Sequence, residues 1–339
     1  MASAPPTVRV ATWNIRAAIG PGEPFPPAWW RHVRRDRFER IAQQIVELDA
    51  DVIALQEVAL LTPHGELLDQ PLELGRLTGR HVRRDRFERI AQQIVELDAD
   101  VVALQEVALL TPHGELFDQP LELGRLTGRQ VRYAAVHAFA LIEPEDGRAI
   151  GAATWGNALL TRVPLDDGFA IGLPVGGDDD PVEPRGSGHP LAGVPFAEAP
   201  YGTREPRCAV GGRVTGPWGS LAVVTAHLAY AGAEERRAQA DELARIGVGL
   251  GGPLVVTGDF NAAVEAPELR SLASGFDDAF SAVGIEAGDP RRASCGPFPI
   301  DHVFSRGLRA VDCRVVTEAG DASDHLPVVA TFEVVAGPA

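Results

Sequence analysis

LAVVTAHL at 221–228 and PLVVTGDF at 253–260 are two short apolar runs of the kind that forms a buried strand. Each meets a polar residue at its end, His227 in the first and Asp259 in the second, and a helical pattern over 232–246 lies between them. The first strand of the chain, VRVATWNI at 8–15, reaches Asn14 in the same manner. VHAFALI (136–142), NALLTRV (157–163), AVGGRV (209–214), IDHVF (300–304) and VVATFEV (328–334) are further short strands separated by Gly, Pro and Asp turns, with a second short helix near Pro267 to Ser274. Many strands with helices interspersed suggest an α/β (α+β) sandwich, two sheets packed face to face with helices outside. Residues 172–203, rich in Gly, Pro and Asp, read as a long loop, and nothing divides residues 1–339 into two domains.

One feature disturbs this pattern. Residues 31–79 recur as 80–128 with two substitutions, Ile53 becoming Val102 and Leu68 becoming Phe117. Two copies followed by unrelated sequence do not make a solenoid, which needs three or more units. Each copy reads as an amphipathic helix and then a buried strand. Phe38, Ile41, Ile45 and Leu48 precede Glu57 in the first; Phe87, Ile90, Ile94 and Leu97 precede Glu106 in the second. A fold that wants one such unit has been offered two, so one copy is expected to be extruded from a loop. Loop closure costs only about 0.6 kcal/mol per doubling of length, so the chain entropy tolerates this. An uncovered apolar stripe, however, invites self-association. The connection before the first copy, GPGEPFPP at 20–27, already reads as irregular, and irregular loops absorb insertions best, which leans the assignment toward the second copy and Glu106.

Composition narrows the functional classes. The formal net charge is −16, whereas a protein that tracks long nucleic acid presents a basic face, so extended nucleic-acid binding is disfavoured. The Arg-rich stretch from Arg31 to Arg40 alternates with Asp36 and Glu39 and fits a solvated helix face. Cys208, Cys295 and Cys313 form no CxxC pair, which argues against both a disulfide framework and a thiolate metal site. No apolar run is long enough for a signal segment or a membrane span, and a cytoplasmic location is expected.

The polar strand endings supply carboxylates, amides and imidazoles. Oxygen ligation by a few carboxylates suits Mg²⁺ or Mn²⁺, while zinc would want more His or Cys. The signatures of a zincin, a P-loop hydrolase and a serine hydrolase are all missing from the sequence.

In order along the chain stand WNI (13–15), LQEV (55–58 and again 104–107), GNALL (156–160), TAHL (225–228), GDFNA (258–262), IDHVF (300–304) and SDHLPV (323–328). This series resembles the endonuclease/exonuclease/phosphatase superfamily across nearly the whole chain. The resemblance implies a four-layer α/β sandwich with the motifs at one rim. It implies that Glu57 or Glu106 is the principal metal ligand, with Asn14 and Asp324 completing the site. Asp259 would deprotonate the attacking water, Asn261 and His227 would hold phosphoryl oxygens, and Asp301 would orient His325. Arg204 and Arg207 lie where relatives often place an arginine on the phosphate. The His of TAHL resembles the pancreatic deoxyribonuclease, sphingomyelinase and phosphatase branches, in contrast to the Asn usual in abasic-site endonucleases. The expected activity is Mg²⁺-dependent hydrolysis of a small or lipid-derived phosphate ester. A nuclease acting on DNA or RNA, or an inactive binding protein whose metal carboxylate the duplication has displaced, are the alternatives.

Overall fold

Strands buried on both faces carry apolar residues at every position, and strands with one wet face alternate. Both patterns determine where the elements pack. The computed structural model describes residues 5–15, 60–61, 68–69, 85–110, 117–142, 149–175, 206–230, 232–320 and 323–334. Its longer strands are β1 (Thr7–Asn14), β2 (Val101–Leu110), β3 (Gln130–Ile142), β4 (Ala149–Thr161), β5 (Leu165–Gly172), β6 (Cys208–Gly216), β7 (Gly219–His227), β8 (Leu254–Asp259), β9 (Asp301–Arg306), β10 (Leu308–Val315) and β11 (Val328–Val334). The principal helices are α1 (Asp85–Glu96), α2 (Gln119–Thr127) and α3 (Ala233–Leu250).

Two mixed sheets result. One runs β10-β11-β1-β2-β4-β3, with the short strand Phe117–Asp118 paired to the end of β2; the other runs β9-β8-β7-β6-β5, with Asp277–Asp278 beside β9. Each sheet contains one parallel pair, β1 with β2 and β7 with β8, and the remaining ladders are antiparallel. A parallel pair requires a crossover, and α1 and α3 lie on the two crossovers.

Three apolar layers hold the four structural layers together. Val8, Val10, Val101, Ala103, Leu159, Val210, Val223, Val255 and Phe332 fill the space between the sheets. Trp13, Val102, Leu104 and Leu160 face outward and meet Ile90, Ile94 and Leu97 of the α1 segment and Leu123 of α2. Val224, Leu254 and Val256 meet Leu243 and Ile246 of α3 on the other outer face. The expected α/β sandwich with helices outside is therefore the fold observed.

Local chemistry explains the helix ends. Asp118 caps α2 by accepting from Leu121 N at 2.8 Å, Pro120 occupies the first turn, and Gly128 ends the helix at φ 67. The α3 helix runs to Leu250, one turn past the expected Ile246, and stops at Gly251 with φ 62.

Two edge strands, β5 and β10, were not expected from the sequence. Their largely exposed side chains, in LDDGFAIG and LRAVDCRV, give no apolar run. Of the expected elements, the first-copy helix and the strand ending in Glu57 lie outside the described residues, as do Arg204 and most of the 172–203 loop.

The slot between β1 and β4 holds the second copy: Val101 pairs with Val10, and Val102 with both Ala11 and Leu160. Deleting residues 31–79, which joins Trp30 to Arg80, should leave the far-ultraviolet circular dichroism of a folded sandwich. The melting temperature should fall by less than about 4 °C, equivalent to roughly 2 kcal/mol for a domain of this size. Loss of cooperative unfolding in the shortened chain would show that the first copy is needed for the fold.

Candidate active site

Three strands follow one rule, and a fourth, β2, follows it as far as its polar residue. Moving toward the carboxyl end in steps of two, β1 presents Val10, Thr12 and Asn14 to the sandwich interior; β7 presents Val223, Thr225 and His227; β8 presents Val255, Thr257 and Asp259. In β2 the sequence is Val101, Ala103 and Gln105. The apolar interior thus gives way to a polar layer and then to a rim of functional groups. Because β1 with β2 and β7 with β8 are parallel pairs, their carboxyl ends lie together, the usual place for a ligand in sheets of this kind.

At the rim Asp259 is 1% exposed and at the centre of the contacts. Its Oδ2 accepts from Asn14 Nδ2 at 3.1 Å and lies 3.4 Å from His227 Nε2 and 3.7 Å from His325 Nε2. Its Oδ1 accepts from the backbone N–H of Asn261 at 3.0 Å, a turn that holds Asn261 at φ 51. Asn261 Nδ2 lies 3.0 Å from both His227 Nε2 and the Leu228 carbonyl. Gly258 makes the approach possible, since a Cβ there would fall 1.8 Å from the Ala226 carbonyl oxygen.

Asn14 Nδ2 also donates to Glu106 Oε1 at 2.9 Å, and His227 Nδ1 lies 3.9 Å from the same oxygen. His325 Nδ1 and Asp301 Oδ2 are 2.8 Å apart, so Asp301 fixes the ring. The last segment is tied back to β1 on both sides: Trp13 Nε1 donates to the His325 carbonyl at 2.8 Å, and Ser323 Oγ donates to the Asn14 carbonyl at 2.7 Å.

The electrostatics follow from burial and crowding. Burial, reinforced by the charge of Asp301, pushes the Asp259 carboxyl up to about 7. For His325 burial alone acts downward, but the charges of Asp301 and Asp259 outweigh it and raise the imidazole well above its ordinary range. The 1% exposed Asp301 keeps a second oxygen, Oδ1, that has no hydrogen-bond partner among the described residues. Asp259, Asp301 and His325 each offer a ligand atom within 4.8 Å of the others.

A family profile described as "Endonuclease/Exonuclease/phosphatase family" matches residues 72–325, a range containing the whole second copy. The chain belongs to the endonuclease/exonuclease/phosphatase family. Solved structures agree on the fold. An endonuclease/exonuclease/phosphatase from Beutenbergia cavernae matches with a TM-score of 0.55 and 20% identity, covering 98% of this chain and 72% of that one. The catalytic domain of human Nocturnin, solved with a bound sulfate anion, gives 0.55 and 19% over 98% of this chain and 96% of its own. A family member from Bacteroides vulgatus gives 0.53 and 19% over 97% and 100%. No curated protein matched.

Family membership and the buried Asp259, Asp301 and His325 cluster mark a metal-dependent phosphoesterase fold. The donors fit a hard divalent cation: carboxylates and an amide dominate, and Asp301 Oδ1 is buried with no hydrogen-bond partner among the described residues.

Of the residues expected at the site, Asn14, Glu106, His227, Asp259, Asn261, Asp301 and His325 come together. Asp324 is half-buried beside His325, its Oδ1 lying 3.3 Å from Ser323 Oγ. Arg207 is buried at the entry to β6, where its carbonyl accepts from Leu173 N at 2.8 Å. Glu57 and Arg204 lie outside the described residues. Sequence reasoning gave no role to Trp13 and Ser323, which lock the SDH segment onto β1. Both stand inside quoted motifs, and that adjacency was the available signal.

In the metal-free protein the His325 ring should stay cationic beyond its ordinary titration range, and Asp301→Asn should return its titration toward the ordinary imidazole value of about 6.5. Histidine NMR titrations test this; a wild-type ring that titrates in the ordinary range would contradict the Asp301 pairing.

Proposed function

We propose that the protein hydrolyses phosphate esters with Mg²⁺ or Mn²⁺, a small or lipid-derived ester being the favoured substrate. The observation that carries the reading is the Asp259 carboxylate, held by Asn14 and Asn261 and facing two imidazole Nε2 atoms at 3.4 and 3.7 Å. In this reading Glu106, with Asn14 and Asp324, would hold the cation, because Asp301 and His325 already engage each other and Asp259 is needed as a base. When bound, the cation neutralises phosphate charge and assists the leaving oxygen.

The chain's own residues do the rest. Asp259 accepts a proton from the attacking water as the new P–O bond forms and the ester P–O bond breaks in line. A carboxyl pushed up to about 7 is matched to that task near neutral pH. Asn261 Nδ2 and His227 hold phosphoryl oxygens, and their mutual contact at 3.0 Å fixes them as a pair. His325, kept cationic by Asp301, offers its Nε2 proton to charge developing on the phosphoryl group. Arg204 and Arg207 are proposed phosphate contacts.

The net charge of −16 disfavours a nuclease that follows long DNA or RNA. Glu106 standing 2.9 Å from Asn14 favours an active enzyme over a binding protein with a displaced carboxylate. Accordingly, the first copy, with Glu57, is proposed to be the extruded one, and self-association through it is the associated hazard. No helix among the described residues is long and apolar enough to cross a membrane. Three free, buried cysteines fit the reducing cytoplasm proposed here as the location.

The test is hydrolysis of bis-(p-nitrophenyl) phosphate with Mg²⁺, Mn²⁺ and EDTA, extended to monoesters, lipid phosphodiesters and single- and double-stranded DNA. Metal-dependent turnover should fall about 10²–10⁴-fold in Asp259→Ala, the range for a general base. Turnover indifferent to EDTA or to that substitution would reject the mechanism. Glu106→Gln should abolish metal-dependent activity and Glu57→Gln should not; equal losses would contradict a single working copy.

A further inference from the structure

The β2 strand breaks the rule that the other three motif strands obey. Val101 and Ala103 face the interior while Val102 and Leu104 face the helices, so a regular pleat would place Gln105 inside and Glu106 outside. The register against β4 slips between Leu104 and Val107, whose partners are Ala158 and Gly156, so Gln105 and Glu106 together oppose Asn157. Glu106 sits in this bulge at φ 55, and Val107 resumes the outward-facing set. The extra residue brings Glu106 Oε1 to Asn14 instead of into the helix layer.

A positive φ at a residue with a Cβ persists only where the surroundings over-determine it. Gln105 supplies that surrounding. Its side chain is fully buried, and Nε2 lies 3.1 Å from Thr12 Oγ1 on the neighbouring strand and 3.0 Å from Thr225 Oγ1 in the opposite sheet. Both hydroxyls are 0% exposed, so no solvent can replace the amide. Thr12 stands two residues before Asn14 and Thr225 two before His227, the two groups that meet Glu106. One amide therefore ties together the three strands whose ends surround the Glu106 carboxylate.

We propose that Gln105 is a positioning residue: by pinning the β2 bulge to Thr12 and Thr225 it sets the Glu106 carboxylate for cation binding. This rests on Glu106 being a metal ligand, as proposed above.

The experiment measures Mn²⁺ binding to the resting protein, by loss of the free-ion electron paramagnetic resonance signal, alongside kcat at saturating metal. Gln105→Leu keeps the volume without the amide, and Thr225→Val removes only the cross-sheet hydroxyl. Gln105→Leu should weaken Mn²⁺ binding about 10–100-fold, as loss of a partner behind a ligand does, and Thr225→Val should weaken it about fivefold. The kcat at saturating metal should stay within about twofold in both, because the reacting groups themselves are retained. Gln105→Leu should add nothing in a Glu106→Gln background, since it acts only through that carboxylate. If either folded variant binds Mn²⁺ like the wild type while Glu106→Gln weakens binding, the positioning role is wrong and the ligand assignment stands. If Glu106→Gln itself leaves Mn²⁺ binding unchanged, the ligand assignment fails and the positioning role with it. Should Gln105→Leu not fold, Thr225→Val decides alone.

Discussion

Two sheets pack face to face only as far as both present apolar side chains, and in β1, β7 and β8 the last of these lies four positions before the strand's final residue. Val10, Ala103, Val223 and Val255 lie in the shared apolar layer; one step on stand Thr12, Gln105, Thr225 and Thr257, all fully buried. Buried polar groups must find partners, and these do so within the protein: Gln105 with Thr12 and Thr225, and Thr257 Oγ1 with the His302 carbonyl at 2.8 Å. The polar layer is what permits charged groups at the next step. A carboxylate such as Asp259 resting directly on valines would face the full cost of burial with no ordered dipoles nearby.

The placement of the parallel pairs does the remaining work. One pair per sheet puts Asn14 and Glu106 on one side of the rim and His227 and Asp259 on the other, while the antiparallel β9 delivers Asp301 beside Asp259. The chain then returns through Ser323 and His325, locked to β1 by the Trp13 and Ser323 hydrogen bonds, before entering β11. Residues separated by most of the chain thus meet with few loops involved. That suits a site whose hydrogen bonds must already be in place before a substrate arrives.

Much of this was legible in the sequence. Interior strands announce themselves as apolar runs, and Asn14, His227 and Asp259 are conspicuous as the polar residues that end them. Edge strands were not legible: β5 exposes six of its eight residues and β10 four of eight, so no apolar run survived. The β2 bulge was illegible for a different reason. LQEV carries no glycine to mark an irregularity, and strict alternation would have sent Glu106 to the wrong face. Nor could two nearly identical segments be told apart by composition, because only two substitutions separate them.

The stepwise alternation along the motif strands also has an evolutionary side. Removing or adding one residue within β1, β7 or β8 would turn its functional group out of the interior, so these strands admit substitutions but not changes of length. The connection between β1 and α1 has accepted a whole duplicated segment while the slot beside β1 kept a complete helix and strand. Length is therefore constrained element by element: the motif strands are held to their register, while the sequence joining β1 to α1 carries the duplicated segment.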